Sequence, residues 1–190
     1  MVELKLKNTL LRLDFSFFAV IALYLLLDKS GFGLAALAAC AMHETAHFIA
    51  MTAFGVPVEQ LTLYGAGIRI TSSKIEYIRP LQKAVILCAG CMANFAAAFV
   101  FWGLENYAAS AVNMFTGIFN LLPMGELDGA QLLEMLAVRH CKAENVDRIM
   151  KIAAAASAVV CAAAFIAAGG IASFTLITTA LYIIIVSGLS

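Results

Sequence analysis

The sequence predicts an all-α polytopic membrane protein of about six transmembrane helices, with a small cytoplasmic-side β-hairpin or sheet between the second and third. Three observations predict it. Of 190 residues, 63% are hydrophobic and 13% charged, against about 45–50% and about 25% in soluble domains. Mean hydropathy is +0.95, too high for a polar shell to be assembled. The apolar residues fall into six runs separated by polar turns, and the basic residues lie almost wholly on one side of them. Six spans of about 20 residues take up about 120 positions. That excludes a large soluble domain and puts any chemistry inside or at the edge of the bilayer. Net charge is zero and no basic tract is present, so nothing points to nucleic acid. Five cysteines, an odd number, argue against a disulfide framework.

The first span is expected at about residues 13–27, after the polar stretch containing Lys5, Lys7 and Arg12. A turn, Asp28-Lys29-Ser30-Gly31, leads to a second span at about 32–54. The long polar interval from Gly55 to Leu81 contains two alternating stretches, Glu59–Tyr64 and Ile68–Thr71, around Gly65-Ala-Gly67. Alternation flanked by glycine is the signature of a hairpin, and Gly65 and Gly67 become candidate pocket or substrate-contact positions at its tip. The third span is expected at about 82–104 and the fourth at about 108–122. Pro123 and Gly125 interrupt the fourth, and a helical pattern resumes from Asp128 to about 138. A basic loop, Arg139 to Lys151, precedes spans at about 152–168 and 171–189. The whole reads as a single membrane domain with its core at 32–140, without room for a PDZ or CBS domain.

Eleven of the twelve Lys and Arg residues lie on the side of the two termini and of the loops after spans two and four; only Lys29 lies opposite. The positive-inside rule then places both termini and the hairpin in the cytoplasm of a cell with a multi-pass membrane protein, a prokaryotic plan. The stretch Leu37-Ala-Ala-Cys40 matches a lipobox, but the preceding apolar region is too long for a signal peptide and is broken by Asp28-Lys29. Cys40 reads as a small packing residue.

An ionisable residue inside an apolar span is costly and therefore a functional candidate. Glu44 in span two, with Glu126 and Asp128 beyond the break in span four, stand out. Glu44 belongs to His43-Glu44-Thr45-Ala46-His47. On a helix, the i, i+4 spacing puts both imidazoles on one face, where they can share Zn²⁺, with the glutamate placed to take a proton from the metal's water. Such motifs arise by chance on soluble helices, but in hydrocarbon two histidines need partners. A catalytic zinc needs a third protein ligand. Candidates are His140, Glu126, Asp128 and a cysteine. His140 reads as a solvated loop residue. Cys88-Ala-Gly-Cys91 reads as small packing residues on a membrane helix. Asp128 is best placed, because irregular backbone at membrane depth is tolerated only where it lines a cavity or is buried in protein.

Taken together, His43-Glu-Thr-Ala-His47, Gly90-Cys-Met-Ala-Asn94 and Asn120-Leu-Leu-Pro123-Met-Gly-Glu-Leu-Asp128-Gly129 resemble the motifs of the site-2 protease family of intramembrane zinc metalloproteases. The six-span plan is similar to the sporulation-factor-processing branch. The resemblance implies one zinc per chain, held by His43, His47 and Asp128, with Glu44 as catalytic base. Asn94 and Asn120 would contact substrate or shape the pocket. Cys91 stands where many relatives have proline. The implied partners are the bilayer and a membrane-spanning or membrane-tethered protein substrate, cleaved in regulated intramembrane proteolysis. A regulatory membrane protein is also compatible with the family. The histidines would lie about 10–16 Å from the cytoplasmic end of their helix, at 1.5 Å per residue. The rival reading is a non-protease or inactive membrane zinc protein, a transporter or chaperone-like relative. A transporter should spread polar residues along a path, yet spans one, five and six carry almost none.

Overall fold

The computed structural model describes residues 1–6, 9–28, 32–65 and 67–167, and the chain divides into two compact units after Phe119. In the first unit, β1 (Val2–Leu6) and β2 (Thr9–Leu13) precede α1 (Phe15–Leu27) and α2 (Phe32–Ala53). Next come β3 (Gln60–Tyr64), β4 (Gly67–Thr71), a short 3₁₀ turn at Ser73–Glu76, α3 (Pro80–Gly103) and α4 (Tyr107–Asn120). The second unit contains α5 (Asp128–His140) and α6 (Ala143–Ala167). The architecture is mostly helical with one small mixed sheet.

That sheet is larger than the hairpin expected between spans two and three. Its four strands run in the order β1-β2-β3-β4. The outer pairs are antiparallel, while β2 and β3 are parallel, with Leu11 opposite Leu61 and Leu13 opposite Leu63. Side chains alternate across a strand. The register therefore gathers Leu4, Leu11, Leu13, Leu61, Leu63, Ile68 and Ile70 on one face. On the other, Arg12 pairs with Glu3 at 2.8 Å. The N-terminal segment is thus a hairpin, not merely a polar lead-in to span one. Its two strands are short and charged, and the pairing of β2 with β3 joins residues about fifty positions apart.

Asp14 turns the sheet into α1. Its carboxylate accepts from the Ser16 hydroxyl at 2.6 Å and the Ser16 amide at 2.8 Å, an N-cap arrangement. The same hydroxyl accepts from the Gly65 amide at 2.9 Å. Gly65 thereby packs on Ser16 and Val20 of α1. Gly67 has φ +136°, backbone that a side chain disfavours. Both glycines serve the turn between β3 and β4.

Among the described residues, α2 and α3 are long and apolar enough to cross a membrane. Helix α1 has 13 residues, α4 14 and α5 13, each about 20 Å at 1.5 Å per residue and short of a hydrocarbon core of about 30 Å. The predicted interruption of span four is present as the turn between α4 and α5. The expected basic loop is instead mostly helix. Helix α5 runs to His140, α6 begins at Ala143, and Lys151 pairs with Asp147 one turn away at 2.8 Å. Charges at i, i+4 stabilise a helix as well as a loop, so charge alone misplaced the boundary. The expected span at 171–189 lies outside the described residues.

Helix α3 begins with Pro80 at its first position, and the Arg79 amide donates to Gln82 Oε1 at 3.2 Å. Its buried residues, Ile86, Leu87, Gly90, Cys91, Asn94 and Ala98, form one stripe. Helix α2 buries Ala39, His43, His47 and Met51 at intervals of four. The outward faces carry Leu34, Ile49, Phe99 and Trp102, all more than 60% exposed, a distribution suited to lipid rather than water. Near the sheet, Met51, Val56, Val58 and Ile86 form an apolar cluster that ties the end of α2 to the start of α3. Gly117 of α4 gives room to Phe95, whose Cε1 would lie 2.6 Å from an added Cβ. We expect Gly117→Ala to destabilise the protein by about 1–3 kcal/mol through overpacking, read as a lower thermal midpoint in detergent. Adding Phe95→Leu should restore part of the loss.

Candidate metal centre

The i, i+4 spacing on α2 brings His43 and His47 to the same buried face, 3% and 8% exposed. Their Nε2 atoms are 3.0 Å apart, with rings at 75° to one another. The Nδ1 atoms settle the tautomers. His47 Nδ1 lies 2.7 Å from the Ile86 carbonyl oxygen, which can only accept, so this nitrogen carries the proton. His43 Nδ1 lies 2.8 Å from Asn94 Oδ1.

That amide is itself fixed. Asn94 Nδ2 donates to the Ala39 carbonyl and to Asn113 Oδ1, both at 3.1 Å. Asn113 Nδ2 in turn donates to the Ala109 carbonyl at 2.9 Å. With both amides oriented by backbone acceptors, Asn94 presents oxygen to His43, and His43 Nδ1 is the donor. Each imidazole therefore directs an unprotonated Nε2 lone pair toward the other. Two such lone pairs repel unless a cation lies between them. A tetrahedral zinc with bonds of about 2.0–2.1 Å would separate its two nitrogens by about 3.3 Å, close to the observed spacing. The pair fits a metal, and hydrogen-bonded outer partners of this kind orient ligand imidazoles.

Gly90 makes the pair fit against α3. A Cβ there would stand 2.5 Å from His43 Cε1 and His47 Nε2, so only glycine leaves space for both rings. Asn94 is fully buried, at 0% exposure, and acts through His43. Glu44, next to His43 on α2, is half-buried. Cys91, which the sequence suggests is a packing residue, is buried with its sulfur within 4.8 Å of a ring nitrogen of His43. Cys88 is half-buried one turn earlier.

Asn120 and Asp128 belong to the second unit. Asn120 ends α4, and Asp128 is the first residue of α5, its acidic N-terminal turn. The chain between them is turned, with Gly125 at φ +56° and Leu127 extended, the irregular backbone expected after Pro123. A Cβ at Gly129 would collide with the Leu121 backbone, so glycine after Asp128 is needed for that turn to close. Glu126 is exposed, and His140 lies exposed in the last turn of α5. Gly65 and Gly67 have the turn roles described above.

The sequence alone did not single out Asn113 or the Ile86 carbonyl. Asn113 had a readable signal, an amide within an apolar helix. The Ile86 carbonyl had none, since every residue carries one.

Residues 32–110, which contain both histidines, Gly90 and Asn94, match the sequence model of peptidase family M50. No curated protein sequence matches the chain. Among solved structures, the site-2 protease from Methanocaldococcus jannaschii is similar, with a TM-score of 0.70 over 99% of this chain and 94% of that one, at 17% identity. This is a likeness of fold. The family match covers the helix pair that carries both histidines, Gly90 and Asn94.

Two substitutions test the centre. Gly90→Ala should abolish stoichiometric metal binding while leaving the helical content unchanged, measured by metal analysis and circular dichroism. Asn94→Ala should weaken metal affinity by about 10–100-fold, the usual effect of removing an outer partner, measured by competition with a chelator.

Proposed function

We propose that the chain is an intramembrane zinc metalloprotease that hydrolyses peptide bonds of membrane-spanning or membrane-tethered proteins. The observation that carries this reading is the convergence of the two Nε2 lone pairs, 3.0 Å apart, with both Nδ1 atoms committed to acceptors. His43 and His47 would supply two ligands and Asp128 the third, leaving a position open for water or substrate. Two imidazoles and a carboxylate suit zinc. When bound, zinc supplies Lewis acidity that polarises a peptide carbonyl and acidifies a water.

The chain's own residues do the rest. Glu44 projects from the ligand helix between the two histidines, so its carboxylate can take the water's proton and later deliver it to the departing amine. The Asn113–Asn94–His43 relay holds one imidazole in its ligand tautomer, and the Ile86 carbonyl holds the other. Asn120 is proposed to shape the pocket or contact substrate.

A helical substrate hides its carbonyls in i→i−4 bonds, so it must unwind to be cut. Strand β4, at one edge of the sheet, supports a route for this, because an extended segment can add to a sheet edge. The six-span arrangement with cytoplasmic termini rests on the one-sided basic residues, and on it the site would be reached from the cytoplasm. The same arrangement favours the sporulation-factor-processing branch.

Glu44→Gln should keep zinc near one per chain while cleavage of a single-span substrate in proteoliposomes falls by at least about 10²–10⁴-fold. Full cleavage by that variant would overturn the mechanism. Asp128→Ala should lose activity and retain well below one zinc per chain after dialysis. Chelator treatment of the unmodified protein should abolish cleavage, and added zinc should restore it.

A further inference from the structure

Cys91 follows Gly90 on the stripe of α3 that faces the histidines, and it is 1% exposed. Its sulfur lies within 4.8 Å of a ring nitrogen of His43. Packing alone does not require sulfur here. Ala89, Gly90 and Ala93 stand close by on the helix, and Gly90 already provides the clearance for the rings. A thiolate, by contrast, is a strong zinc donor, with bonds of about 2.3 Å. Around a tetrahedral ion that bond length places sulfur about 3.6 Å from a ligand nitrogen, inside the 4.8 Å that bounds the separation of the sulfur from the imidazole.

We propose that Cys91 is a thiolate donor to the metal held by His43 and His47. The inference rests on the reading of that pair as a metal site and adds a ligand to it. On loading, the Cys91 S–H bond breaks, a sulfur–metal bond forms and the proton passes to solvent, with no change of oxidation state. The first unit then offers three donors by itself, two nitrogens and a sulfur; with Asp128 as well, the water used in catalysis would enter as a fifth ligand. Sulfur gives the site a preference for soft ions that a two-histidine, one-aspartate set lacks.

The test uses the full-length protein in detergent, loaded with Co²⁺ and with Cd²⁺. Metal analysis should give one cobalt per chain, and the cobalt protein should show intense thiolate-to-cobalt charge-transfer absorption in the near ultraviolet. Cys91→Ala and Cys91→Ser should lose that absorption while still binding cobalt, and their cadmium affinity should fall at least tenfold more than their zinc affinity. Cys88→Ala should keep the band. X-ray absorption on the zinc-loaded, unsubstituted protein should find a sulfur neighbour at about 2.3 Å, a measurement that needs no variant to fold. One bound cobalt without charge-transfer absorption, or a full band in Cys91→Ala, overturns the proposal and leaves the histidine site standing. Failure of the unsubstituted protein to bind cobalt or zinc overturns both.

Discussion

The hydrogen bond from His43 Nδ1 to Asn94 Oδ1 is the interaction on which the arrangement of the site depends. An imidazole has two nitrogens, and only the one without a proton can bind a metal. In water, solvent would satisfy the other. Inside an apolar helix pair it must be satisfied by protein, because an unpaired polar group there costs several kcal/mol. Asn94 meets this requirement, but an amide can present either oxygen or nitrogen. The Ala39 carbonyl and Asn113 remove that freedom. A relay across α2, α3 and α4 thus fixes one proton, and through it the direction of one lone pair.

The same scarcity of solvent explains how polarity is distributed in the first unit. The buried stripes of α2 and α3 include histidine, asparagine and glycine, while Leu34, Ile49, Phe99 and Trp102 point outward. Hydroxyls on the outward face bond to their own helix, as Thr45 does to the Ala41 carbonyl and Thr52 to the Phe48 carbonyl, both at 2.7 Å. Close approach then becomes the means of packing, and glycine the residue that permits it. Gly90 admits two imidazoles and Gly117 a phenylalanine ring; in the second unit, Gly129 admits a backbone turn. Each would bring a Cβ into hard contact.

How much could be read in advance follows from the range of each interaction. The helices α2 and α3 and the histidine pair were legible because their signals are local: an apolar run, and a four-residue spacing. The turn before Asp128 was legible from Pro123 and Gly125. The N-terminal hairpin was not, because β2 gains its partner from β3, across an intervening helix pair. The start of α6 was missed because a cluster of charges marks a helix end and an amphipathic helix equally well. Cys91 illustrates a third limit. It lies on a helix rich in small residues, a context that reads as packing, and its nearness to His43 is visible only in space.

The placement of Asp128 follows a different logic from that of the histidines. Two ligands four residues apart on one continuous helix need no break in the backbone, and α2 has none. A third donor from the same helix could not converge on the same point, so it must come from elsewhere in the chain. Beginning α5 with a carboxylate, the third donor proposed above, has two consequences. The positive end of the helix dipole favours a negative side chain at its first turn, and the preceding turn can set the carboxylate's direction independently of the helix axis. Gly129 is what lets that turn close on Leu121. The sequence Asp-Gly after a proline-containing break therefore encodes the direction of a carboxylate.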